Sequence, residues 1–284
     1  VEASKKPIQA RSKMIFGNKP TDGGYLFLTQ EEKEYLESNE PYSTQFIKPV
    51  LGAKEFLHGE QRWCLWFEEA DLDELMKYPL IKQRLEGVKQ KRAESDAQST
   101  RDYAKYPHLF RQIAQPKSGN YILVPGVTSE RRQYVPIGFY GYEVIATNLV
   151  NIIPEGTIYD FAILTSLIHN DWMRLVTGRL ESRYRYTSTI VYNTFPFPNT
   201  TDAQKQKIEN LAEEILLARA SNAGMTLAEL YDPDKMPDDL KQAHSTLDDA
   251  VDKLYRPQGF ANTEERLAHL LARYEQLIEL EQQS

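Results

Sequence analysis

The spacing of apolar residues along the chain changes once, between Pro196 and Thr201. Before that point short apolar runs are cut by Gly, Pro and polar turns, the texture of strands and short helices. After it apolar residues recur every three or four positions, the period of amphipathic helices. In the first part, Thr29-Gln-Glu-Glu32 has capping-box spacing and predicts a short polar helix. Arg62-Trp-Cys-Leu-Trp-Phe67 is aromatic and apolar and predicts a buried strand. Asp71 to Arg92 predicts a helix interrupted near Pro79, with Leu85 and Val88 inward and Lys82, Arg84, Lys89, Lys91 and Arg92 mostly outward.

Strands are expected at Tyr121 to Val124, Tyr134 to Phe139 and Tyr142 to Ala146, punctuated by Pro125-Gly126 and Gly138. Thr157-x-x-Asp160 opens a helix carrying Phe161, Leu164, Leu167, Ile168 and Leu175, with Gly178 as its stop. The β-branched and aromatic stretch Tyr184 to Tyr192 predicts a strand, ended by Pro196 and Pro198. Beyond Thr201, three helices follow from Ile208, Leu211 and Ile215, from Leu240, Ala243, Leu247, Val251 and Leu254, and from Leu267, Leu270, Leu271, Tyr274 and Ile278. Thr226-Leu-Ala-Glu229 and Asn262-Thr-Glu-Glu265 are capping signals between them. The expected fold class is α+β, a mixed small-sheet domain over residues 1–198 and an all-helical region over residues 199–284.

Composition adds bounds. The 284 residues, 41% hydrophobic and 26% charged, suit one large domain or two smaller ones. No apolar run reaches the roughly 18 residues that a spanning helix needs, and no signal peptide is read at the N-terminus. The chain begins at Val1 without a methionine, as a piece of a longer polypeptide would. Cys64 is the sole cysteine, which excludes an internal disulfide and a Cys-rich zinc site, so a reducing, cytoplasmic home is expected.

The net charge of −7 conceals an asymmetry. Residues 1–200 hold 25 Lys and Arg against 24 Asp and Glu, whereas residues 201–284 hold 9 against 17. Between Lys82 and Arg132 the balance is 11 basic to 5 acidic. Screening makes the local field, and not the total, the quantity a phosphate meets.

Catalytic motifs are missing. An amino-group methyltransferase needs an Asp/Asn-Pro-Pro-Tyr/Phe loop, but Asn39-Glu-Pro-Tyr42 has one proline and Asn193-Thr-Phe-Pro196 has none in place. Asp22-Gly-Gly24 is a turn without the following apolar helix that would cradle a cofactor. Pro237-Asp-Asp-Leu-Lys241 resembles a nuclease metal motif in letters only, and Pro with two Asp residues is what a helix N-terminus favours. His244 falls on the apolar face of its helix as a core residue, and His58, His108, His169 and His269 lack ligand spacing. No catalytic residue, metal ligand or cofactor contact is therefore assigned to the chain.

What remains is a surface. Thr128-Ser-Glu-Arg-Arg-Gln-Tyr134 is a polar insert between apolar strand candidates, and it carries the residue types that read base edges. Arg forks onto guanine, Glu accepts from cytosine and Gln pairs with adenine. A solvated hairpin with an internal ion pair accounts for the same residues. Arg174, Arg179, Arg183 and Arg185, interleaved with Tyr184 and Tyr186, form a second cluster suited to phosphates; a solvated helix end and edge strand fits it equally.

The segments in their order resemble the target-recognition and C-terminal regions of MmeI-type single-chain restriction–modification enzymes and related Class I DNA adenine methyltransferases. The resemblance lies in Phe16-Gly-Asn-x-Pro-x-Asp-Gly-Gly24, Phe46-Ile-Lys-Pro-x-x-Gly-Ala-Lys-Glu-Phe56, Arg62-Trp-Cys-Leu-Trp66 and Ser129-Glu-Arg-Arg132 before Tyr134-Val-Pro136. It continues through Gly178-Arg-Leu180, Tyr192-Asn-Thr-Phe-Pro-x-Pro198, Leu227-Ala-x-Leu-Tyr-Asp-Pro233, Ala243-His244 and Leu254-Tyr255. It implies a double-stranded DNA partner and base readout by Glu130 and Arg132, with Arg131 and Gln133 beside them. Backbone contacts are expected from Arg174, Arg179, Arg183, Arg185, Lys89 and Arg92. It further implies a parent chain whose methyltransferase domain uses S-adenosylmethionine on a flipped adenine, with no cofactor in this segment. Trp63, Trp66, Tyr192, Phe195 and Phe197 are expected as core and domain-docking residues. The competing readings are a free-standing hydrolase or nuclease and a protein-interaction module without base readout.

Overall fold

Aromatic and β-branched runs build three small sheets in the computed structural model, which describes residues 1–283. Two compact units share them, each assembled from separate stretches of chain. One comprises residues 16–119 and 141–150; the other comprises 1–15, 120–140 and 151 onward. The change of texture at Pro196–Thr201 is thus a change along the chain, since the helical tail belongs to the same unit as residues 120–140. No helix among the described residues is long and apolar enough to cross a membrane.

In the unit of residues 16–119 and 141–150, one sheet runs Phe27–Leu28, Trp63–Leu65, Ile47–Leu51, Ile145–Ala146, antiparallel except for the last pair. Leu28, Val50, Cys64, Leu65 and Ile145 of these strands share one buried cluster with Leu85 and Val88 of the helix Pro79–Ala93. The expected interruption near Pro79 is present, as Leu72–Leu75 and Pro79–Ala93 are separate helices. Gly17 is required by close approach, because a Cβ there would lie 2.2 Å from the Thr147 carbonyl oxygen.

Arg92 corrects the sequence reading. Placed outward by periodicity, it is 0% exposed. Its Nε donates to the Thr21 carbonyl at 2.9 Å, Nη1 to Tyr106 at 2.7 Å, and Nη2 to Pro20 at 2.9 Å and Leu109 at 2.6 Å. A planar fork with five donors can satisfy a ring of carbonyls that would otherwise be orphaned, and this outweighs the cost of burying one charge. Burial lowers its pKa to about 10, so it remains a cation. Enclosed in this way, Arg92 is not a phosphate contact.

In the other unit the main sheet runs Ile15–Phe16, Val150–Pro154, Asn120–Pro125, Gly138–Gly141. The strand expected from Tyr134 begins only at Gly138: Val135 N–H donates to Asn170 Oδ1 at 2.8 Å, and Pro136 has no N–H to offer a ladder. The strand expected from Tyr142 is confined to Ile145–Ala146, because Val144 N–H closes a turn onto the Gly141 carbonyl at 3.1 Å. The run from Tyr184 also departs from expectation. Arg183–Arg185 is strand, but Ser188–Tyr192 closes into a turn of π-helix with Asn193 N–H on the Ser188 carbonyl at 2.8 Å.

The helix opened by Thr157 has its capping box but divides at Ser166, giving Ile158–Thr165 and Leu167–Val176. Ser166 is extended, its Oγ donates to the Ile163 carbonyl at 2.6 Å, and the Leu167 N–H leaves for Asp248 Oδ1 at 2.7 Å. Trp172, Tyr192, Phe195 and Phe197 are buried in this unit's core. The tail forms three long helices, Asp202–Ser221, Asp238–Tyr255 and Thr263–Gln283, which contribute Ile208, Ile215, Leu240, Leu247, Val251 and Leu270 to the same core. Each such fully buried aliphatic side chain stabilises the fold by about 1.5–3 kcal/mol.

One stripe of that apolar surface is polar. His244, Asp248 and Asp252 follow one another at four-residue spacing on the helix Asp238–Tyr255 and are 0%, 6% and 4% exposed. His244 Nε2 lies 2.8 Å from the Tyr231 hydroxyl, and burial holds its imidazole neutral, as expected of a core histidine. Asp248 accepts from the Tyr134 hydroxyl at 2.5 Å and from the Leu167 N–H. Asp252 accepts from Arg266 Nε at 3.0 Å, while Arg266 Nη1 lies 3.5 Å from Asp171. Burial raises the pKa of Asp248 to about 7 and of Asp252 to about 6.

Two outcomes follow from these buried charges. Arg92→Leu leaves the ring of carbonyls unpaired and is expected to lower unfolding stability by about 2–5 kcal/mol in denaturant titrations; a change below about 0.5 kcal/mol would contradict this. The raised carboxyl pKa values mean that the folded state holds protons which the unfolded chain has released. Stability should therefore fall as pH rises from about 4 through 7. Asp248→Asn should flatten that decline in a series of melting temperatures, and a slope identical to the parent's would refute the assignment. Lys241, Asp249, Asp252 and Arg266 are the other charged groups around Asp248.

Candidate nucleic-acid interface

The two polar clusters of the sequence meet in one three-stranded sheet, ordered Arg179–Leu180, Arg183–Arg185, Val127–Thr128. The pairing is antiparallel throughout, with Tyr184 opposite both Arg179 and Thr128. Glu181 and Ser182 form the two-residue turn of the hairpin, with Glu181 at φ 57, in the left-handed region. Immediately after Thr128 the chain turns again. Arg132 N–H donates to the Ser129 carbonyl at 3.2 Å and Arg131 N–H to Ser129 Oγ at 3.3 Å, so Glu130 and Arg131 occupy the corner of a four-residue turn.

The pleat divides the arginines. Tyr184 is buried while its neighbours Arg183 and Arg185 are exposed, so these two project from the opposite face. Arg179 lies in register with Tyr184, its Nη2 donating to the Tyr184 hydroxyl at 3.1 Å, and its Nη1 pairs with Glu130 Oε2 at 3.2 Å. Arg183 pairs with Glu181 at 3.2 Å, and the Arg185 guanidinium has no ion pair among the described residues. Arg131 pairs with Asp234 of the tail. These exposed pairs are worth about 0–1 kcal/mol each and are readily exchanged for a stronger anion. Arg132 is half-buried; burial lowers its pKa and nearby Asp232 opposes that. Gln133 is exposed.

Arg174 sits differently. Its Nη2 donates to the carbonyls of Arg132, at 3.0 Å, and Gln133, while Nη1 lies 3.4 Å from Asp171. The guanidinium braces the turn's stem from below. Lys89 is exposed on its helix in the other unit.

Sequence reading missed the supports of this turn: Tyr134, Asp171, Asp232, Asp234, His244, Asp248, Asp252 and Arg266. A signal existed in the polar residues at positions 244, 248 and 252, which interrupt an apolar helix face at exact helical repeat. The acids at 232 and 234 had none, because their contact with residues 131 and 132 spans about a hundred positions.

No methionyl-cofactor cradle fits the Asp22-Gly-Gly24 turn. Asp22 is buried with Oδ2 accepting from the Leu26 N–H at 2.7 Å, and the chain continues into strand Phe27–Leu28 instead of a helix N-terminus. No group of three or more His, Cys, Asp or Glu among the described residues could hold a metal ion.

Comparison with known proteins gives a consistent family. Residues 1–199 match the model described as MmeI, target recognition domain, and residues 200–280 match MmeI, C-terminal domain. DNA methyltransferase A of Bacillus subtilis (strain 168) is 40% identical over 280 residues, covering 98% of this chain and 32% of that protein. The solved structure of the Type IIL restriction-modification enzyme MmeI in complex with DNA matches at a TM-score of 0.94 and 41% identity, over 98% of this chain and 37% of that one. The chain spans about a third of the length of these relatives. In sequence and in fold, over nearly all of its residues, the chain belongs to the MmeI family, as the target recognition domain followed by the C-terminal domain.

Proposed function

We propose that this chain selects the sequence on double-stranded DNA at which a methyltransferase domain of the same parent polypeptide modifies an adenine. The observation that carries the reading is the turn at residues 129–132, which presents Glu130 and Arg131 at an exposed corner beside a hairpin bearing Arg183 and Arg185. A short, sheet-mounted turn of this kind delivers hydrogen-bonding side chains to base edges, while arginines on the adjoining hairpin hold phosphates and fix register. The solved MmeI relative is in complex with DNA, which supports the same partner here.

In this reading Glu130 and Arg132 contact bases, with Arg131 and Gln133 adjacent. Arg179, Arg183, Arg185 and Lys89 supply backbone contacts, and Arg179 also holds Glu130. Arg174 is assigned to the turn's stem because its donors are committed there. Residues 1–198 make the choice and residues 199–284 support them. S-adenosylmethionine belongs to the parent's methyltransferase domain, where the selected adenine is flipped from the stack, and the parent works in the cytoplasm.

Arg132→Ala is expected to relax preference at one base position by about 1–3 kcal/mol, whereas Arg183→Ala weakens all sequences alike. Affinities on a panel of duplexes differing by single bases separate the two effects, and equal losses on every duplex for Arg132→Ala would defeat its readout role. Affinity should also fall steeply with salt, which a protein-only interaction module would not show.

A further inference from the structure

The turn has a tip of exposed ion pairs and a stem anchored by the buried Tyr134. Tyr134, two residues beyond Arg132, is 5% exposed. Its ring stacks on His244 with centroids 4.1 Å apart, and its hydroxyl donates to Asp248 at 2.5 Å. Both partners lie one turn apart on the helix Asp238–Tyr255. From the other side Arg174 holds the carbonyls of Arg132 and Gln133. Arg174 is itself held by Asp171, which shares Arg266 with Asp252. Two helices of the acidic tail therefore reach the stem, one through the buried Tyr134 side chain and the other through Arg266, Asp171 and Arg174 to the carbonyls of residues 132 and 133.

The chemistry of readout explains why such a stem matters. A guanidinium fork discriminates one base from another only when it is placed within about 0.5 Å and 10–20°. The surface pairs around it contribute too little to impose that placement. A buried hydroxyl–carboxylate bond together with a guanidinium anchored on a buried carboxylate does impose it, and fixing two successive carbonyls with the following ring defines the direction in which the Arg132 side chain leaves the chain.

We propose that Tyr134 and Arg174 are positioning residues for base choice, and that the helical tail, through His244, Asp248 and the Arg266–Asp171 pair, aims the Arg132 fork. The proposal rests on the reading of residues 130–133 as base contacts. It gives the tail a part in specificity although its residues at 244, 248, 252 and 266 need touch no base.

The test is a duplex library randomised at its centre, captured on the immobilised chain and sequenced, so that preference is read position by position. Tyr134→Phe removes only the hydroxyl and leaves the ring on His244. Arg174→Lys keeps the charge near Asp171 but loses the planar fork that gives Nη2 to the two carbonyls and Nη1 to Asp171 at once. Each should lower preference by about 3–10-fold, the effect of one ordinary hydrogen bond, at the position that Arg132→Ala flattens. Preferences elsewhere and the salt dependence of affinity should stay unchanged. The conservative variant Asp248→Asn, which keeps an acceptor for the Leu167 N–H, should lose less than Asp248→Ala. Unchanged preference at that position in folded Tyr134→Phe, or an equal loss for every sequence, overturns the proposal, and Tyr134→Phe decides alone if Arg174→Lys does not fold. If Arg132→Ala flattens no position, the reading of the turn fails first, and the positioning proposal with it.

Discussion

A carboxylate moved out of water must be supplied with donors, and the side chains of Asp171, Asp248 and Asp252 are all within a few percent of full burial. The donors they take are the Tyr134 hydroxyl, the Leu167 N–H, Arg266 and Arg174. They come from three segments, the stem of the turn, the helix Leu167–Val176 and the helix Thr263–Gln283, so meeting this one electrostatic demand ties the tail helices to the broken helix pair at Ser166 and to the stem of the turn. Removing one partner of such a group costs far more than an exposed pair contributes, so the partners are held together, although ionising the buried carboxylates itself costs stability, as their raised pKa values record. The break at Ser166 belongs to the same account, because the freed Leu167 N–H is satisfied by Asp248.

The same partition reconciles an acidic chain with the proposed anionic partner. The excess of Asp and Glu lies in the tail, where Asp252 pairs with Arg266, Glu265 with Arg256, and Asp234 with Arg131. Arg183 and Arg185 project from the hairpin with one acid, Glu181, close by. At physiological ionic strength fields decay over about 8 Å, so a duplex approaching the hairpin meets the local charge and not the total. Arg92 illustrates the converse: a basic residue counted toward the positive balance is enclosed by carbonyls and offers nothing to solvent.

Much of this was legible from residues alone where local physics decides. The tail helices, the capping signals at Thr29, Thr157 and Thr226, and the break near Pro79 follow from periodicity and side-chain donors within a few residues. The family resemblance was also legible, and it pointed to the turn that the structure builds on a sheet. What local patterns missed depends on distant partners. The strand expected from Tyr134 is displaced by an Asn170 side chain, and the outward placement of Arg92 fails because its acceptors lie elsewhere in the chain. The arginine cluster read as one patch is split by the pleat, a consequence of pairing register that spacing alone does not reveal.

In the proposed function the turn of residues 129–132, mounted on its small sheet and held from the tail, meets DNA. Hydrogen–deuterium exchange of the chain with and without a saturating duplex tests it most directly. Slowed exchange is expected across residues 128–134 and the hairpin 178–186, with the outer face of the helix Thr263–Gln283 unchanged. Slowing confined to the tail helices, or none in the turn at saturation, would contradict it.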